Sequence, residues 1–146
     1  MLSPFQKTIL KEASFTGVGL HSGLKTEVKI APAAENHGIV FKRIDLDKEN
    51  IIKANFENVS SAKLCTTLQN EFNVTVSTVE HLLAALYITG IDNALIEISK
   101  REVPIMDGSS KEFVETINRI GVKKQNAKRK YLKITKNFVL QEGEKL

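Results

Sequence analysis

Glu80 and His81 stand side by side in Ser77–Leu86 (STVEHLLAAL), where apolar positions 79, 82, 83 and 86 keep a helical spacing. A histidine nitrogen binds Zn2+ well, and a neighbouring carboxylate can take a proton from an attacking water. The same pair has a plainer reading. Ser77 and Glu80 have capping-box spacing, in which Glu80 reaches back to the Ser77 amide and suits the positive helix N-terminus. His81 is then a partly buried polar helix residue. A catalytic zinc normally takes three protein ligands. One turn away from His81 lie Ser77, Thr78, Ala84 and Ala85, none a usual ligand. The HExxH pattern is absent, and His21 and His37 have no ligand spacing to anything. Residue types alone leave both readings open.

The elements around this pair can be traced along the chain. Residues 6–12 and 24–31 alternate as half-buried strands do. Between them Gly17–Gly23 (GVGLHSG) carries three glycines in seven residues, which marks a loop where backbone must approach something closely. It is no nucleotide fingerprint, lacking both the GxGxxG spacing and a following helix. Residues 38–43 read as another strand, and 64–70 and 73–77 as two short strands joined by a polar turn. The helix opened by Ser77 should stop at Gly90. Residues 93–99 are strongly β, and Pro104 and Gly108 shape the loop VPIMDGSS, with Asp107 as an organiser of the loop and the next helix start. Ser109 and Glu112 repeat the capping spacing and open a helix that ends at Gly121. A basic linker then leads to a last strand pattern over 131–141.

At 146 residues, with 42% hydrophobic and 26% charged residues, the chain suits a folded domain with a real core. Strands, helix, strand, helix, strand predict an α+β two-layer sandwich, a mixed or antiparallel sheet backed by two helices. Cys65 is the single cysteine, so no internal disulfide forms and a reducing compartment is expected. The N-terminus has no continuous apolar stretch of signal-peptide type, and the longest apolar run, Leu82 to Ile88, is far short of a membrane span. A soluble cytoplasmic protein is the expectation. Eight basic residues and no acidic one fall between Arg119 and Lys136. This segment is either an anion-binding strip or a solvated linker and edge strand, and it has no motif of nucleic-acid recognition.

GVGLHSG (17–23), LCTTL (64–68), STVEHLLAAL (77–86), GIDNALIEI (90–98) and VPIMDGSS (103–110) occur in this order and spacing. Together they closely resemble the N-terminal half of the zinc-dependent UDP-3-O-acyl-N-acetylglucosamine deacetylases of lipid A synthesis. The resemblance implies one of two similar α+β domains with a zinc site between them, and a substrate that is a UDP-linked, 3-O-acylated N-acetylglucosamine. It implies Glu80 as general base, His81 as a zinc ligand, Leu64 and Cys65 as a segment lining the site, and Leu20 and His21 as a loop at its edge. The family's other ligands, on an HxxxD segment, and its second catalytic histidine belong to the second domain, and this chain has none of them.

The division expected on that basis is 1–127 as the first domain and 128–146 as a linker and the first strand of a truncated second one. Alone, such a chain is expected to be inactive. Its 131–141 strand has an apolar face to bury, which offers an edge for a dimer by strand addition. The competing expectation is a non-catalytic domain that binds anions through the basic 119–136 segment.

Overall fold

The computed structural model describes residues 3–140. It contains ten strands and two α-helices. A five-stranded sheet carries the fold, in the order β2 (Ala13–Val18), β3 (Lys25–Pro32), β9 (Ala94–Ile98), β4 (Ile39–Arg43), β5 (Ile51–Lys53). All its pairings are antiparallel except β4 with β9. The period-2 pattern of these strands puts one apolar row across the sheet. Phe15 lies opposite Val28 and Val28 opposite Ile98; Ile30 faces Ile96, and Phe41 neighbours both Ile96 and Ile52. These residues are buried. The opposite face is charged, with Glu97 paired to Lys29 at 2.7 Å and to Lys42 at 3.6 Å.

Helices α1 (Glu80–Thr89) and α2 (Lys111–Ile120) complete the second layer. Leu82, Ala85 and Leu86 of α1 and Phe113 and Ile117 of α2 join the strands in one core. Phe113 meets Phe15 of the sheet edge-on, with ring centroids 4.9 Å apart. The fold is thus α+β. Two smaller sheets flank it: the antiparallel meander β6 (Val59–Ser61), β7 (Thr67–Gln69), β8 (Thr75–Ser77), and a ribbon of β1 (Phe5–Ile9) with β10 (Val122–Lys128). Among the described residues no helix is long and apolar enough to cross a membrane.

Several sequence expectations need correction. Neither capping box forms. Ser77 is the last residue of β8, and its amide donates to the Arg101 carbonyl at 2.9 Å. That amide is taken, so Glu80 turns elsewhere and α1 starts from Val79 without a side-chain cap. At α2 the cap position is Ser110, whose hydroxyl is diverted to the His81 carbonyl at 2.9 Å. Ser109 instead accepts from the Lys111 amide two residues on, while its hydroxyl donates to Asp107 Oδ1. Asp107 therefore organises this loop as expected. Both helices stop where expected, at Gly90 and Gly121 with positive φ.

The supposed basic linker is strand β10. It pairs antiparallel with β1, Ile9 opposite Val122 and Phe5 opposite Lys128. Residues 131–140, which carry the expected last strand, form no helix or strand, and residue 141 lies outside the described residues. A strand needs a paired neighbour, and the edge of β1 is already occupied by β10.

Candidate functional site

The two segments quoted around Glu80 meet through its carboxylate. Glu80 is the first residue of α1, and its Oε2 accepts from the Thr66 amide at 3.0 Å. The Val79 amide donates to the Thr66 carbonyl at 3.4 Å. The Leu64–Cys65 turn is thereby fastened beside the start of α1. Leu64 sits in left-handed backbone (φ 67°) and is 86% exposed, an unusual state for a branched apolar residue. Cys65 is half-buried, its Sγ 3.9 Å from Thr67 Oγ1. His81 is partly exposed and is pinned through its backbone carbonyl to Ser110, so the first turn of α1 is anchored to the start of α2.

The GVGLHSG loop reaches the same region by another route. Gly17 lies against the VPIMDG loop, where a Cβ would come 2.9 Å from Pro104 Cβ, and the Ile105 amide donates to the Val18 carbonyl at 3.0 Å. The expectation of a close backbone approach holds. Leu20 and His21 sit at the exposed tip. The His21 amide donates to Glu102 Oε1 at 2.9 Å, and the Ser22 amide to Glu102 Oε2 at 2.7 Å. Thr78 approaches Glu102 from the other side, its Oγ1 donating to Oε1 at 2.9 Å. Thr78 is buried and in left-handed backbone, φ 57°, two residues before α1 begins.

Glu102 is only 1% exposed. Burial works against its charged form, but the amides of His21 and Ser22 and the hydroxyls of Ser22 and Thr78 outweigh it and bring the carboxyl down to about 2. Sequence reasoning missed both Glu102 and Thr78. The one signal was Gly19, at which any Cβ would collide with the Glu102 carboxylate and Ser22 Oγ. Nothing in the linear order pairs position 19 with position 102.

The structure therefore gathers three candidate segments, 20–21, 64–65 and 80–81, through hydrogen bonds that run to the few residues at the start of α1. Of a metal site it supplies less. Among the described residues no three His, Cys, Asp or Glu side chains cluster to hold an ion. His81 is a single candidate ligand, so these residues do not by themselves fit a closed zinc site. The basic segment is split between elements. Lys123, Lys124 and Lys128 lie on β10, Lys124 Nζ sits 4.1 Å over the Phe5 ring, and Arg129 is paired with Asp92 at 2.7 Å.

The α+β domain thus presents the Glu80-His81 pair at a helix start, with the Leu64–Cys65 turn and the His21 loop hydrogen-bonded to the residues around that start. The family model described as UDP-3-O-acyl N-acetylglycosamine deacetylase matches residues 6–146. The chain belongs to this family. It is similar to the UDP-3-O-acyl-N-acetylglucosamine deacetylases of Idiomarina loihiensis (47% identical over 140 residues, 96% of this chain and 46% of the relative) and Colwellia psychrerythraea (48% over 140 residues, 96% and 46%). That of Shewanella frigidimarina is 48% identical over 141 residues, 97% of this chain and 46% of the relative. The chain spans about half the length of the curated relatives it matches.

Proposed function

We propose that this chain is the N-terminal part of a zinc-dependent amidohydrolase that removes the N-acetyl group from UDP-3-O-acyl-N-acetylglucosamine in lipid A synthesis, working in the cytoplasm. The family match over residues 6–146 carries this reading, and the arrangement around Glu80 supports it. Zinc, when bound, supplies a Lewis acid that polarises the amide carbonyl. His81 contributes one ligand from this chain, and the remaining ligands come from outside it.

Glu80 takes the proton of the attacking water. One carboxylate oxygen is held by the Thr66 amide, which fixes the plane of the group and leaves Oε1 for the water. The proton then passes to the departing glucosamine nitrogen. A carboxylate suits both transfers because it can accept the proton and give it up again. Leu64 and Cys65 on one side and Leu20 and His21 on the other wall the acylated sugar. With one candidate ligand among its residues, the 146-residue chain by itself is expected to bind zinc weakly or not at all and to release no acetate.

The test is a pair of variants in the full-length protein. Glu80→Gln keeps an oxygen for the Thr66 amide but cannot take the water proton. It is expected to lower kcat about 100- to 10,000-fold with zinc content and melting temperature nearly unchanged. His81→Ala is expected to lose zinc and activity together. Near-normal turnover in Glu80→Gln would return Glu80 to a purely structural part.

A further inference from the structure

The carboxylate of Glu102 joins three segments that are far apart in the chain. Its own backbone is zipped to the end of β8: the Val103 amide donates to the Ser77 carbonyl at 3.0 Å, and the Ser77 amide to the Arg101 carbonyl at 2.9 Å. Its side chain holds Thr78 at 2.9 Å on one side and the amides of His21 and Ser22, at 2.9 and 2.7 Å, on the other. The Ser22 hydroxyl adds to these, so two amides and two hydroxyls converge on two oxygens, and among the described residues no Lys, Arg or His pairs with the group. This donor set suits an ionised carboxylate, which only accepts. A glutamine of the same shape would turn its NH2 group toward another N–H or O–H donor. Gly19 has no side chain where the carboxylate passes.

Thr78 supplies the second half of the argument. A β-branched residue at φ 57° is strained, and it holds this conformation buried, with its hydroxyl on Glu102. The direction in which the chain leaves Thr78 decides where α1 begins, and so where Glu80 and His81 sit.

We propose that Glu102 is a positioning residue that locks the His21 loop to the strained Thr78 turn, setting the edge of the site against the Glu80-His81 pair, and that deacetylation depends on this lock. The inference rests on the reading of Glu80 and His81 given above. Glu102 touches none of the reacting atoms. It acts through His21, Ser22 and Thr78. A shift of about 1 Å in such a frame lowers a rate by up to about 100-fold.

The experiment uses the full-length, zinc-loaded protein with UDP-3-O-acyl-N-acetylglucosamine, together with hydrogen exchange at the His21 and Ser22 amides. Glu102→Gln is expected to lower kcat about 10- to 100-fold per zinc-bound molecule, with zinc content unchanged and both amides exchanging faster. Thr78→Ser keeps the hydroxyl and should retain turnover and slow exchange, whereas Thr78→Val should lose both. If Glu102→Gln fails to fold, the Thr78→Val and Thr78→Ser comparison decides, and equal turnover in these two overturns the proposal. A folded Glu102→Gln protein with faster exchange but kcat within about twofold of wild type makes the carboxylate merely structural and also overturns it. Fast exchange at both amides in the wild-type protein overturns the lock itself. A wild-type protein that releases no acetate overturns instead the deacetylase reading, and the catalytic part of this inference with it.

Discussion

At the scale of single residues, two carboxylates near the start of α1 have been given opposite surroundings. Glu80 is partly exposed and holds one backbone amide through Oε2. Glu102 is buried and spends both oxygens on the frame. Its carboxyl lies below the ordinary 4.5, at about 2. A group with a depressed folded-state value stabilises the fold above its unfolded value, and that stabilisation fades as pH falls toward the folded one. Between pH 4.5 and about 2 the Glu102 contribution should therefore disappear. Glu102→Gln is expected to cost about 3 kcal/mol at neutral pH. Its melting temperature should depend less steeply on pH below 4.5 than that of the wild type, as calorimetric scans from pH 7 to pH 2.5 would show.

At the scale of elements, the β1–β10 ribbon is joined to the main sheet by a buried polar network. Asn93, just before β9 and 1% exposed, donates through Nδ2 to Gln6 on β1 and Gln125 on β10, both at 2.8 Å. Its Oδ1 accepts from the Gly38 amide at 2.8 Å, and the Thr8 hydroxyl donates to its carbonyl at 2.7 Å. Every polar atom there has a partner, which makes the network costly to break at one point. Asn93→Ala orphans Gln125 Oε1 and the Gly38 amide, while Gln6 Oε1 keeps the Asn36 amide. A loss of about 3 kcal/mol is expected, seen as a lower urea midpoint with an unchanged slope. An unchanged midpoint would mean that the ribbon is held by its apolar contacts alone.

At the scale of the whole molecule, β10 and Arg129 belong to this fold. The Arg129 guanidinium bonds both Asp92 oxygens at 2.7 Å and the Gly90 carbonyl at 2.8 Å, closing the C-terminus of α1. Beyond it, Tyr131 donates to the Ser3 carbonyl at 3.0 Å. The side chains of Leu132, Ile134, Phe138, Val139 and Leu140 are then exposed, as are Tyr87 and Ile88 of α1. Truncation after Lys130 should change stability by less than about 1 kcal/mol, while truncation after Gly121 should cost more than about 4 kcal/mol. Equal melting temperatures for the two truncated chains would contradict this. The exposed apolar residues also predict that the 146-residue chain binds a hydrophobic dye and associates with rising concentration, and that the chain ending at Lys130 does neither. Sedimentation of both chains over a tenfold concentration range would check it.

Local patterns were enough wherever one face of an element meets the core. The alternation in 24–31 and 93–99 became β3 and β9, because a strand has only two faces and burying one leaves a period of two. Gly90 and Gly121 ended their helices because the positive φ each adopts is easiest without a Cβ. The five ordered motifs likewise carried the resemblance to the family, which the Glu80-His81 pair by its residue types left open. Competition for hydrogen bonds was decided only in three dimensions. Ser77 lost its cap because Arg101, 24 residues on, takes its amide, and Glu80 turned to Thr66 instead. Residues 122–128 looked like a linker because their lysines hide the alternation, and they became a strand because β1 offered an open edge. Residues 131–140 had the better strand pattern and found no edge to pair with. Glu102 was the least legible of all. A buried carboxylate is stable only where several donors converge on it, and its donors come from positions 21, 22 and 78.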